Sequence, residues 1–104
     1  RTDDASLARA AGLVERFAKT DNPAFQDTYG WVLYQRGQYA EAIAVLEQAV
    51  ASAPQVPELR YHLGMAQLKA GQAERARENL AAAVRGNPAY TGVDDAKAAL
   101  RALN

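Results

Sequence analysis

The feature that most constrains this chain is a stretch that occurs twice. Pro23, Gly30, Gly37, Gln38, Ala42, Leu46, Ala49, Val50 and Pro54 return thirty-four residues later as Pro57, Gly64, Gly71, Gln72, Ala76, Leu80, Ala83, Val84 and Pro88, nine identities when 23–56 is laid on 57–90. A period of this length means one supersecondary unit copied along the chain, and such a unit buries its apolar face only by stacking on its neighbours. Alanine, the best helix former, is abundant, which makes that unit helical.

The punctuation sets helix boundaries. Asp3 or Asp4 can cap a helix over about 5–19, whose stripe is Leu7, Ala10, Ala11, Val14, Phe17 and Ala18. Asn22 is an N-cap with Pro23 at the first helical position, predicting a helix over 24–36 that stops at Gly37. A further helix over 39–52 has the inner stripe Ala42, Ile43, Leu46, Ala49 and Val50, and Pro54 and Pro57 break it. The cycle then predicts helices over 57–70 and 73–85, ended by Gly71 and Gly86. Residues 89–92 read as loop. Val93, Ala96, Leu100 and Leu103 predict a last helix over 93–103, opened by Asp94 and Asp95. Gly30 and Gly64 stand mid-helix, where glycine costs about 1 kcal/mol against alanine, so a close helix crossing is expected there.

Glycine at 30 and 64 and at 37 and 71, alanine at 42 and 76, leucine at 46 and 80, alanine at 49 and 83 and proline at 54 and 88 resemble the tetratricopeptide repeat (TPR) family. The resemblance implies an all-α solenoid of about six helices in a right-handed stack, with 5–19 as the second helix of a truncated repeat, 23–56 and 57–90 as two repeats and 93–103 as a capping helix. Glu15 departs from the pattern in the first helix. Gln26, Arg60, Gln67 and Ala73 stand where larger apolar or aromatic residues are usual, which weakens individual contacts. A narrower resemblance, carried by 27–33, Gly37 and 60–64, is to the last repeats of bacterial cell-envelope TPR proteins, often lipoproteins, that serve exopolysaccharide export and protein sorting. It implies a place in the envelope or periplasm rather than the cytoplasm.

Function follows from what the surface offers. Lys and Arg number 12, as do Asp and Glu, which argues against a nucleic-acid or anionic-membrane surface. No run of about eighteen apolar residues predicts a transmembrane helix, and the start at Arg1 reads as that of a fragment. Without cysteine there is no disulfide, thiol nucleophile or thiolate metal site. His62 is the single histidine, with no spacing to a carboxylate that suggests zinc. Asp27 with Glu41 or Glu47 is not placed in one cleft by any spacing, and glycine-rich phosphate loops are absent. No enzyme, cofactor or metal is expected.

A binding surface remains. In the family, the first helix of each pair lines the concave side, which assigns the groove to Asp27, Trp31, Tyr34 and Gln35 from one repeat and to Glu58, Tyr61, Met65, Leu68 and Lys69 from the next. Trp31, Tyr34, Tyr61, Met65 and Leu68 should form one partly exposed apolar band, unless Trp31 and Tyr34 are core between repeats. The family's clamp for a C-terminal carboxylate uses Lys, Asn and Arg on this face, and Asp27, Trp31, Tyr61 and Met65 stand there instead. The expected role is a module that holds a peptide or helix of a protein partner. The alternative is a solenoid segment for spacing or self-association.

Overall fold

The computed structural model describes residues 22–103. These form five α-helices: α1 (Pro23–Gln35), α2 (Tyr39–Ser52), α3 (Pro57–Lys69), α4 (Ala73–Val84) and α5 (Val93–Leu103). No strand occurs among the described residues. The helix expected over 5–19 lies outside them, so five of the six expected helices are on view.

Local chemistry accounts for the boundaries. Asn22 accepts from the N–H groups of Ala24 (2.9 Å) and Phe25 (3.4 Å), satisfying two donors that the first turn of α1 leaves open. At its other end the N–H of Gly37 donates to Tyr34 C=O and that of Gln38 to Leu33 C=O, a reversal that needs the positive φ of 83° at Gly37. Gly71 and Gln72 repeat this on Leu68 and Gln67, which explains why Gly-Gln recurs as a pair. The cap residues Arg36 and Ala70 belong to these reversals, so α1 and α3 each end one residue before the expected position. α4 also ends one residue early, because Arg85 is extended and both Gly86 and Asn87 take positive φ.

Each helix packs on the next in sequence. In addition α1 touches α3 and α3 touches α5, whereas α2 and α4 do not meet. The odd-numbered helices therefore form one contiguous row, the inner row, and α2 and α4 a second, outer row whose members do not touch.

The expected close crossings are present. A Cβ on Gly30 would lie 2.5 Å from Leu46 Cγ, and one on Gly64 2.8 Å from Leu80 Cγ. Both leucines are fully buried, a gain of roughly 1.5–3 kcal/mol each. Ala49 is buried with Leu59, Leu63 and Ala66 of α3, and Ala83 with Ala96 of α5, so small residues on the outer helices let the next inner helix approach.

The polar residues at usually apolar positions make hydrogen bonds of their own. Gln26 Nε2 donates to Gln48 (3.3 Å). Arg60 donates to Pro54 C=O (3.0 Å) and Asn79 Oδ1 (3.1 Å), and Asn79 Nδ2 to Gln67 Oε1 (2.8 Å). Buried side-chain amides are stable only when paired in this way. Ala73 is exposed and supplies no counterpart to Tyr39, whose ring lies 5.6 Å from Tyr34.

Candidate functional site

The inner row gathers most of the aromatic side chains. Asp27, Trp31 and Tyr34 follow one another at helical spacing on α1, and Glu58, Tyr61, Met65 and Leu68 do so on α3. Trp31 is half-buried. It stacks on Tyr34 with ring centroids 4.4 Å apart and 7° between planes, and on His62 at 4.1 Å. Tyr61 lies 5.6 Å from Trp31 and 5.9 Å from Tyr90. A continuous aromatic series thus runs from Tyr39 through Tyr34, Trp31 and Tyr61 to Tyr90, each such pair adding about 0.5–1.5 kcal/mol beyond its buried area.

The series is not evenly open. Tyr61 is only 5% exposed. The segment after α4 covers it: Tyr90 packs beside it, and Gly92 lies so close that a Cβ there would come within 2.6 Å of the ring. Tyr90 is tied down by its hydroxyl, which donates to Ala83 C=O at 2.8 Å. The stretch 89–92, expected only to connect, is thus part of the packing. Tyr34, Met65 and Leu68 are half-buried, Met65 and Leu68 against the cluster that α5 completes with Ala96, Leu100 and Leu103. Gln35 and Lys69, at the C-terminal ends of α1 and α3, are exposed, and Glu58 is half-buried.

His62 has the partner its sequence neighbours did not reveal. Its Nδ1 lies 2.5 Å from Asp27 Oδ1, joining α1 to α3 through a nearly closed contact. Asp27 therefore answers to His62 rather than to Glu41 or Glu47.

Between α1, α3 and the start of α5 a cleft of about 520 Å³ opens, lined by Asp27, Trp31, Glu58, Tyr61, His62 and Asp95 among others. A second hollow, of about 430 Å³, lies by the α2–α3 connection and α4, with Pro54, Arg60, Glu78 and Arg85. Arg60 is already committed there, and no aromatic ring lines it, so the inner cleft is the better candidate. Among the described residues no group of three His, Asp or Glu side chains is placed to hold a metal ion, and no helix is long and apolar enough to cross a membrane.

Burial raises the hydroxyl pKa of Tyr61, Tyr34 and Tyr90 above the usual 10.0, and nearby carboxylates add to it: Asp95 and Glu58 at Tyr61, Asp95 at Tyr34, Glu58 at Tyr90. A raised pKa in the folded state favours the neutral phenol, so this stabilisation is complete below pH 10 and is lost as pH rises through the folded-state values. Phenolate absorbance should accordingly appear later than in the unfolded chain, with cooperative unfolding above pH 10. Ionisation of all five tyrosines at the free value, without unfolding, would contradict this packing.

Comparison with known proteins agrees with the architecture. A family model described as tetratricopeptide repeat matches residues 33–103. The TPR repeat-containing thioredoxin TTL4 of Arabidopsis thaliana is 36% identical over 61 residues, covering 59% of this chain and 9% of that protein. The chain thus spans less than a tenth of that relative's length. No solved structure matches significantly. TPR modules are generally non-catalytic and mediate protein–protein interaction. With the family match covering most of the chain and the helix pairs crossing at Gly30 and Gly64, the chain belongs to the tetratricopeptide repeat family.

Proposed function

We propose that this chain is a protein-interaction module that holds a peptide or helix of a partner against its inner row, α1, α3 and the start of α5. The observation that carries the reading is the aromatic wall beside an open cleft on that row, with Trp31 half-buried at its centre. Aromatic residues in preformed hollows are where proteins concentrate binding energy. The groove residues are Asp27, Trp31, Tyr34, Gln35, Glu58, Tyr61, Met65, Leu68 and Lys69, with Tyr61 acting more as the floor than as a contact.

The same reading divides 23–56 and 57–90 into two repeats and makes 93–103 a cap. In support, α5 buries Ala96 completely while Asp94, Asp95, Ala98, Arg101 and Ala102 face solvent. It assigns 5–19 to the second helix of a truncated repeat. A larger bacterial envelope scaffold, serving polysaccharide export or protein sorting, rests on the residue resemblance of 27–33, Gly37 and 60–64 alone.

The test is a randomised library of displayed twelve-residue peptides, panned on the full chain. Recovered peptides should shift the emission of Trp31, the single tryptophan, and bind Trp31→Ala at least about tenfold more weakly with helicity retained. If Trp31→Ala melts the fold instead, Trp31 is core and the groove loses its centre. If panning returns no specific binder, the chain is a spacing or self-associating segment, a reading that the covering of Tyr61 by residues 90–92 favours.

A further inference from the structure

The cleft on the inner row has a charge asymmetry that the composition does not impose. The chain as a whole is balanced, yet the cleft is lined by three carboxylates, Asp27, Glu58 and Asp95, and by no Lys or Arg among the described residues. Asp27 is engaged by His62. Glu58 and Asp95 make no ion pair and no side-chain hydrogen bond among the described residues. Both stand in the first turn of a helix, where an acid is favourable. That role does not account for the cleft: α5 already has the exposed Asp94 for it, and the first-turn acids of α2 and α4, Glu41 and Glu74, lie outside the lining.

What fills this cleft has to satisfy the carboxylates. A ligand that covers it strips water from Glu58 and Asp95. An apolar or neutral group leaves them desolvated and unpaired, and an anion adds repulsion. A cation offsets the loss, and it does so more strongly beside an apolar wall than in open water. The wall is preorganised, because Trp31 is held by Tyr34 and His62, and Tyr61 by Tyr90 and Gly92. Asp95, Glu58 and Tyr61 line the same cleft, where burial first and then both carboxylates raise the Tyr61 hydroxyl pKa.

We propose that this cleft takes a cationic side chain of the partner peptide, an arginine, whose guanidinium pairs with Glu58 and Asp95 while its methylenes lie along the Trp31–Tyr61 wall. Arginine fits better than lysine, since its planar fork can donate to two carboxylates at once. The inference rests on the interaction reading above and adds the chemistry of the ligand: a basic segment, opposite in charge to the peptide end that the family's carboxylate clamp takes.

The experiment uses the peptides recovered by the library. They should carry a recurring Arg. A synthetic copy with that Arg replaced by neutral, near-isosteric citrulline should bind about tenfold or more weakly, and the affinity of the Arg peptide should fall with added salt. Glu58→Gln combined with Asp95→Asn should cost about as much, while Glu74→Gln should leave binding unchanged. Equal affinity of the arginine and citrulline peptides overturns the proposal, and so does a basic peptide that binds the double variant undiminished. Trp31-dependent binders without any basic residue also overturn it while leaving the interaction reading intact. No binder at all removes both. Should the double variant fail to fold, the citrulline comparison, which leaves the protein untouched, decides alone.

Discussion

Replacing Gly30 or Gly64 by leucine should destabilise the chain by roughly 1–3 kcal/mol or more. At Gly30 a β-carbon would meet Leu46 Cγ at 2.5 Å and Cδ2 at 2.6 Å. At Gly64 it would meet Leu80 Cγ at 2.8 Å and the backbone nitrogen of Leu80 at 3.3 Å. Neither leucine can yield easily, because both are fully buried and the clash falls on the branch point of the side chain as well as on a terminal methyl. Alanine is the informative intermediate. In an unencumbered helix it would stabilise by about 1 kcal/mol over glycine. Here overpacking opposes that gain, so the alanine variants should be less stable than wild type and the leucine variants less stable still. Each kcal/mol lowers Tm by about 4–8 °C in a domain of this size. Urea and thermal unfolding of the four variants measure the effect. Unchanged midpoints in both leucine variants would place the helix crossings elsewhere.

Deleting residues 93–104 should have a comparable or larger effect. α5 completes the cluster of Tyr61, Ala76, Leu80 and Ala83 with Ala96, Leu100 and Leu103, and Arg77 donates to Leu103 C=O at 2.9 Å. Without the helix those faces of α3 and α4 meet water. The apolar burial lost amounts to about 3–6 kcal/mol, a large part of the roughly 5–15 kcal/mol that holds a domain folded. The shortened chain should melt at lower temperature and self-associate through the bared patch, measurable by light scattering after gel filtration. A monomer of undiminished stability would deny α5 its closing role.

What the sequence made legible is what the chain punctuates or repeats. Proline at the first helical position and glycine in the reversals place every described helix end within a residue. The thirty-four-residue period finds the crossings because Gly30 and Gly64 have no local reason to sit mid-helix. The candidate site was less legible, because its contacts join residues that the period does not pair. Asp27 corresponds to Tyr61, yet its partner is His62, one position further on a different helix. Gly92 stands in no repeated position, and it is needed both for its positive φ of 99° and for the Tyr61 ring pressed against it. Gln67 looked like a defect while Asn79, on the facing helix, had no assigned role. The clustering of Glu58 with Asp95 depends on α5 folding back beside α3, which no local spacing encodes.

The hydrogen bond between Gln67 and Asn79 has a consequence for how a self-similar chain avoids folding onto the wrong copy of itself. The matching positions in the first helix pair are Leu33 and Val45, both buried in an apolar cluster. Glycine, alanine and leucine at the crossings are identical in the two pairs, so by those contacts alone α1 could seat on α4 as well as on α2. Exchanging partners would set Leu33 against Asn79 and Val45 against Gln67. One mismatch strands the buried Gln67 amide, at about 1–3 kcal/mol, and the other sets the half-buried Asn79 against an apolar side chain. The correct pairings are apolar with apolar and amide with amide. Two residues thus act as a key, giving two helix pairs with the same crossing residues distinct addresses and discouraging exchange of helices within one chain or between two.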